Sequence, residues 1–305
     1  MTHFPVPAPT LALSEQQLAT WSHQGAVDSS KKTYASVKYA LDQSARLTGR
    51  GYSVFLQGSY GNDTNIRADS DVDVVVMLED AFWRDISKLG PLEAMLYQQA
   101  FSDASYGFGE FRNDVLAGLR SHYGANLVSE GQNSLKVKPA SGRLGADVIV
   151  CLQYRNYRHF WSLTSQEYVE GVAFRRRDGN LIVNYPKLHS EACTSKNKAT
   201  SSWFKPTVRV FKNMRSRLVE GRKIGEDCAP SYFVENLIFN SPDVCFGTSF
   251  QSTILSVTSA LLQLDLSRTT CANGQMVLFG DRPEQWNVTN CQQFLIALAD
   301  MLLGN

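Results

Sequence analysis

The sequence predicts an α+β fold with a mixed first half and a helical second half. Three observations carry this. Short β-rich runs occur only before about residue 185, separated by stretches of helical periodicity. From about residue 186 onward the periodicity is helical throughout, so strands and helices are segregated along the chain. Of 305 residues, 43% are hydrophobic and 19% charged, which provides a real core and excludes a chain that stays disordered.

The first ten residues hold three prolines and neither a charged n-region nor an apolar h-region, so residues 1–13 read as a flexible leader. Helical periodicity follows over 14–48, with Ala40 and Leu41 among polar residues and Gly49 and Gly51 as a stop. The run YSVFLQ (52–57) predicts a strand ending in the turn Gly58-Ser59-Tyr60-Gly61, and DVDVVVML (71–78) predicts another. Helical patterns fill 91–123, before strand candidates at 134–138, 145–154 and 180–184. These elements make a core over residues 14–185. Helices expected at 187–200, 207–220, 231–240, 250–264 and 290–303 make a second lobe over 186–305.

Thirty basic residues stand against twenty-nine acidic ones, a net charge of +1. A protein that lives on long nucleic acid carries a clear basic excess, so any polyanion site here is local and a small charged ligand is expected. The six cysteines are spread without a CxxC pair, which argues against a disulfide scaffold or a zinc knuckle. His189 and Cys193 are four apart and share one face of a helix, but no second pair accompanies them, so no zinc site is expected. Reduced thiols point to the cytoplasm. No apolar run reaches the ~18 residues that span a bilayer.

Asp71-Val72-Asp73 opens an apolar strand, and strand alternation puts both carboxylates on one side and Val72 and Val74 on the other. Adjacent carboxylates repel unless a cation sits between them, and oxygen-only ligands suit Mg²⁺ carrying substrate phosphates. Asp147, in GADVIVC, begins another strong strand and can complete the cluster. Three carboxylates suffice for two Mg²⁺ ions, one activating a hydroxyl and the other clamping a triphosphate. Taken alone, Asp147 reads equally well as a solvated strand end. Gly58 lets backbone N–H groups approach a phosphate and Ser59 adds a hydroxyl donor, although most such turns only reverse the chain.

Residues 196–223 hold nine basic side chains and one acidic, a strong local asymmetry. Helical spacing groups Arg209, Lys212 and Ser216, with Phe211, Met214 and Leu218 as the opposite apolar stripe. A lysine here can bind phosphates as a point charge, and Ser231 opens the next helix beside its positive end. Taken alone, this is a solvated basic face and a helix start.

The order strand, Gly58-Ser59, eleven residues, Asp71-x-Asp73, with Asp147 on a later strand, resembles the polymerase β-type nucleotidyltransferase superfamily. The segments LQGSYGNDTNIRADSDVDVVV (56–76), ADVIVCLQYRNY (146–157), VNYPKLH (183–189), WFKPTVRVFKN (203–213) and APSYFVENL (229–237) resemble the bacterial cGAS/DncV-like nucleotidyltransferases, in particular their pyrimidine-preferring, cyclic UMP–AMP-making clade. The resemblance implies a polymerase β-like core with a helical C-terminal lobe closing the active-site cleft. It implies that Asp71, Asp73 and Asp147 ligate two Mg²⁺, and that Gln57, Gly58 and Ser59 contact the donor nucleotide. Lys212 and Ser231 would grip its triphosphate, and Asn184 would sit at the base-contacting position. Its amide presents both an acceptor and a donor to a base, although an asparagine there also suits the turn into Tyr185-Pro186. The implied activity joins two nucleoside triphosphates, at least one of them UTP and the other UTP or ATP. A linear intermediate would lead to a cyclic dinucleotide that acts on a downstream effector in anti-phage (CBASS) signalling. No zinc ribbon of the animal DNA sensors is present, so no nucleic-acid activator is expected, nor a membrane partner, and the protein is expected to be a monomer. Two alternatives stay open at this stage: transfer of a nucleotide to RNA or a small hydroxyl acceptor, and a non-catalytic nucleotide-binding scaffold.

Overall fold

The computed structural model describes residues 11–25, 27–66, 71–140, 142–282 and 284–304. The chain forms two compact units: a core of Ala26–Gly61 and Ala68–Lys187, and a helical unit of Met1–Gly25, Asn62–Arg67 and Leu188–Asn305. Among the described residues, no helix is long and apolar enough to cross a membrane.

In the core, α2 (Asp28–Asp42) precedes β1 (Tyr52–Leu56), the single turn α3 (Gly58–Gly61) and the long strand β2 (Val72–Asp85). Helices α4 (Pro91–Ala100) and α5 (Phe108–Tyr123) follow, then β3 (Val128–Glu130), β4 (Leu135–Val137), β5 (Ala146–Ser162), β6 (Ser165–Arg175) and β7 (Leu181–Asn184). The two glycines that precede α4 and α5 have no side chain to cap with. Instead Glu93 and Glu110, each three residues on, accept the Gly90 and Gly107 N–H at 3.1 Å.

The strands form one sheet in the order β1-β2-β5-β4-β3, with β6 on β5 and β7 on β6. β2 and β5 are parallel, whereas β1 pairs β2 antiparallel. Period-2 alternation then sorts the side chains. Val72, Val74, Val76, Val148 and Val150 pack with Val37, Leu41, Phe111, Val115 and Leu119 of α2 and α5. Val75, Met77, Cys151 and Val172 form a smaller cluster on the other face. The valine face fixes the register, because a slip of one residue would carry Asp73 into the helix-covered side.

The helical unit contains α1 (Glu15–Trp21), α7 (Phe204–Glu220), α8 (Ser231–Phe239), α9 (Phe250–Leu262) and α10 (Val288–Leu303), together with α6 (Pro186–Ala199) from Leu188 onward. Phe211, Met214 and Leu218 of α7 are buried in its core, as their spacing predicts.

Three expectations change. Leu11 is buried, Ala12 N–H donates to Leu302 O at 3.1 Å and Leu13 O accepts from Gln251, so residues 11–13 are docked and not a loose leader; residues 1–10 lie outside the described residues. Residues 14–25 and 62–67 group with the helical unit, because Leu18 of α1 packs in the helical core and polar side chains capture the second segment. Strand β6 was not foreseen: its run SQEYVEGVAFR has no clean alternation, and it forms by pairing with the C-terminal half of β5.

Candidate active site

The parallel register sets Asp73 directly opposite Asp147, and Asp71 lies two residues before Asp73 on the same side of the chain. Asp73 is half-buried, and its carboxyl is pushed up to about 7 by burial first and then by the charges of Asp147 and Asp71. Asp71 is exposed, with its Oδ1 set against the Cα of Gly145, where no Cβ fits. Ser134 Oγ donates to Asp147 Oδ1 at 2.8 Å, and Lys136 Nζ, from the residue paired with Asp147 across β4 and β5, lies 3.8 Å from the same oxygen. The carboxylates are thus crowded, oxygen-only and partly oriented.

The turn is tied to the carboxylates by backbone geometry. Gln57 N–H donates to Asp73 O at 3.1 Å, and Gly61 N–H closes α3 on Gln57 O at 3.3 Å. Gly58 has φ +63°, in the left-handed region, and a Cβ there would overlap Asp73 Oδ2. Gly58→Ala therefore meets both backbone strain and the carboxylate itself. Pyrophosphate release is expected to fall at least about tenfold, the equivalent of about 1.4 kcal/mol at the transition state. Wild-type release would show that the turn is only a chain reversal.

A cavity of about 390 Å³ is lined by Gln57, Asp73, Asp147 and Asn184 with Gln132, Asn133, Ser134, Lys136, Ile149, Phe174 and Ile182. Four of the expected residues thus meet in one cavity. Asn184 corrects one expectation: its Oδ1 accepts the Tyr185 N–H at 2.8 Å, so the amide does not present two free ends. That bond locks the amide orientation and leaves the NH₂ to donate. Gln132, Asn133, Ser134 and Lys136 were missed. Their signal was four polar residues around the short apolar run of β4, which ordinary loop chemistry explains as well.

Lys212 and Ser231 belong to the helical unit. Ser231 is the first residue of α8, exposed, and its hydroxyl forms no hydrogen bond among the described residues. Lys212 departs from the exposed basic face expected of it. It is 3% exposed, and its ammonium donates to Thr64 Oγ1 at 2.9 Å, Glu235 Oε2 at 3.0 Å and Thr64 O at 3.3 Å. An ammonium has three donors, and all are used. Glu235, missed in the sequence, also accepts from Asn62 Nδ2 at 2.9 Å, Thr64 Oγ1 at 2.7 Å and His189 Nε2 at 3.0 Å. Burial opposes its ionisation, yet the Lys212 charge and the His189 hydrogen bond hold its carboxyl well below the usual range.

The family follows from comparison with known proteins. Residues 191–303 match the cGAS/DncV-like nucleotidyltransferase C-terminal helical domain. A cyclic UMP-AMP synthase of Rhodothermus marinus (strain SG0.5JP17-172) is 42% identical over 295 residues, 96% of this chain and 99% of that protein. The chain belongs to the cGAS/DncV-like nucleotidyltransferases. A cyclic nucleotide synthase of Staphylococcus haemolyticus is 35% identical, covering 94% of this chain and 98% of its own. The solved structure of the Rhodothermus marinus c-UMP-AMP synthase with Apcpp and Upnpp superposes with a TM-score of 0.88, covering 96% of this chain and 97% of that one.

Nucleotidyltransferases of this family use divalent metal ions, and the core's donors fit one. Asp71, Asp73 and Asp147 offer only oxygen, and the Asp73 carboxyl is raised by burial first and then by its two neighbouring carboxylates, a charge a cation would offset. A second group of metal-binding residue types, His189, Cys193 and Glu235, has ligand atoms within 4.8 Å of one another. It is a hydrogen-bond cluster. Lys212 already balances the Glu235 charge, burial and that same charge push the Cys193 thiol up, and among the described residues the buried His189 Nδ1 has no hydrogen-bond partner of the kind that orients a ligating imidazole.

Proposed function

We propose that this nucleotidyltransferase is a cyclic dinucleotide synthase that joins two nucleoside triphosphates through a linear intermediate, with UTP as at least one substrate and UTP or ATP as the other. The observation that carries it is the in-register Asp73–Asp147 pair beside Gly58, in a cavity that also holds Asn184. Asp71, Asp73 and Asp147 would hold two Mg²⁺, which when bound supply charge stabilisation at the attacking hydroxyl and the leaving pyrophosphate. Ser59 and Ser231 present hydroxyl donors to phosphate oxygens. Lys212 joins them only by exchanging its longest hydrogen bond, to Thr64 O at 3.3 Å, for a phosphate oxygen. The similarity to the Rhodothermus marinus cyclic UMP-AMP synthase supports the pyrimidine reading, and with it we place the enzyme in the cytoplasm, its product acting on a downstream effector in anti-phage signalling.

Incubation with all four nucleotides and Mg²⁺, then phosphatase digestion and mass spectrometry, tests this. A phosphatase-resistant product containing uridine is expected. Extension of RNA or of a small hydroxyl acceptor without a cyclic product would replace the reading.

Base choice rests on the locked Asn184 NH₂, which matches a uracil carbonyl and opposes the exocyclic amine of cytosine. Asn184→Ser keeps the short side chain polar but withdraws the NH₂. Uridine incorporation is expected to fall about tenfold or more relative to purines, since an unpaired polar edge discriminates strongly. Product mapping with each labelled nucleotide decides it, and an unchanged base ratio returns Asn184 to its turn with Tyr185.

A further inference from the structure

Between Ser59 and Asp71 the chain leaves the core and passes through the helical unit from Asn62 onward. Every residue from Asn62 to Asn65 is bonded there. Asn62 and Thr64 donate to Glu235, and Lys212 donates to Thr64. Lys205 pairs with Asp63 at 2.9 Å, while Arg209 donates to Asp63 O. Gln24 Nε2 and Gly25 N–H donate to Asn65 Oδ1 and O at 2.9 and 3.0 Å. Asn62, Thr64 and Asn65 are at most 5% exposed. Short polar residues in an irregular segment are ordinarily solvated, so this degree of capture is unusual. Glu235 is its centre: one carboxylate, 2% exposed, gathers the segment and three helices, since His189 is on α6, Lys212 on α7 and Glu235 on α8.

We propose that Glu235 is a positioning residue for nucleotidyl transfer: by holding Asn62 and Thr64 to the helices, it fixes the chain that leads from the Gly58–Ser59 turn to Asp71 and Asp73. The inference rests on the reading of those residues as the reaction site. Glu235 touches no reacting atom. Its effect is conformational. The β1–β2 pairing and the Gln57–Asp73 bond already set Gly58 against Asp73. What the eleven residues between Ser59 and Asp71 leave free is the placement of Ser59 and Asp71, which lie outside that pairing and must be held to within about 0.5 Å.

The test compares Glu235→Gln with Leu237→Ala, a cavity variant on the same helix at a side chain that is likewise buried. Both are assayed at saturating nucleotide, well below their melting temperatures, and rates are divided by the folded fraction. Glu235→Gln is expected to lower kcat at least tenfold and to speed amide exchange in peptides covering 62–66 at least tenfold. Leu237→Ala, although destabilised, is expected to keep kcat within about twofold. Should Glu235→Gln fail to fold, Thr64→Val, which removes one donor to Glu235 at nearly constant volume, takes its place with an expected three- to tenfold loss. Wild-type kcat in the folded variant, unchanged exchange at 62–66, or equal loss in Leu237→Ala would each overturn the proposal. If Asp71→Asn with Asp73→Asn retained synthesis, the site reading would fail separately, whatever Glu235→Gln did.

Discussion

Replacing Asp71 and Asp73 together by Asn is expected to abolish dinucleotide synthesis while making the metal-free protein more stable at pH 8. The two effects share a cause. In the folded protein the Asp73 carboxyl sits at about 7 against an ordinary 3.8, driven up by burial and by Asp147 and Asp71. Between those values the folded state holds a proton that the unfolded state has released. Stability of the metal-free wild type therefore falls as pH rises from about 4 to about 7, and stays low above that. The full penalty is on the order of 4 kcal/mol. Asn cannot ionise, so the variant escapes the penalty. A divalent metal held by these carboxylates, as proposed, would do the same for the wild type by neutralising them. Thermal melts in chelator should show a gap in favour of the variant that is closed near pH 4, opens as pH rises to about 7 and is constant above that. Residual cyclic product would remove both residues from the reaction, and a gap independent of pH would deny the electrostatic origin.

Lys212→Ala is expected to damage the fold before it damages nucleotide binding. From the sequence, this substitution loses one phosphate contact on an exposed helix face. In the structure it strands Glu235, a buried carboxylate whose ionisation depends on the Lys212 charge. Breaking a buried ion pair on one side typically costs about 3–5 kcal/mol, which lowers the melting temperature by on the order of 10 °C. Removing both charges, as Lys212→Met with Glu235→Gln, should recover much of that loss, because no bare charge remains. Denaturant unfolding of the three proteins measures this. An unchanged midpoint for Lys212→Ala together with weakened triphosphate affinity would show that the lysine serves the ligand and not the fold.

Several features of the site were legible because they depend on local chemistry. The DVDVVV run could only be a strand with its carboxylates on one side, since Val72 and Val74 demand burial on the other. A left-handed residue within reach of a carboxylate has to be glycine, and Gly58 stands there. The apolar stripe of α7 follows from 3.6-residue spacing. The fate of the cations on α7 was not legible in the same way. Arg209 and Lys212 face acceptors on the 62–65 segment, and nothing in the local pattern distinguishes such a face from a solvated one.

By itself the sequence determined the α+β class, the strand that carries Asp71 and Asp73, the glycine turn before it and the resemblance to a nucleotidyltransferase. Each of these is set by periodicity or by residues close together in the chain. Only the tertiary structure decided that Asp147 stands in register with Asp73, that Ser134 and Lys136 attend it, and that Glu235 rather than a phosphate is the described partner of Lys212. Those pairings join residues 11 to 74 positions apart. Cross-strand register and the pairing of a buried charge depend on how whole elements pack, and a carboxylate on an apolar helix such as α8 carries no mark of which cation will be buried beside it.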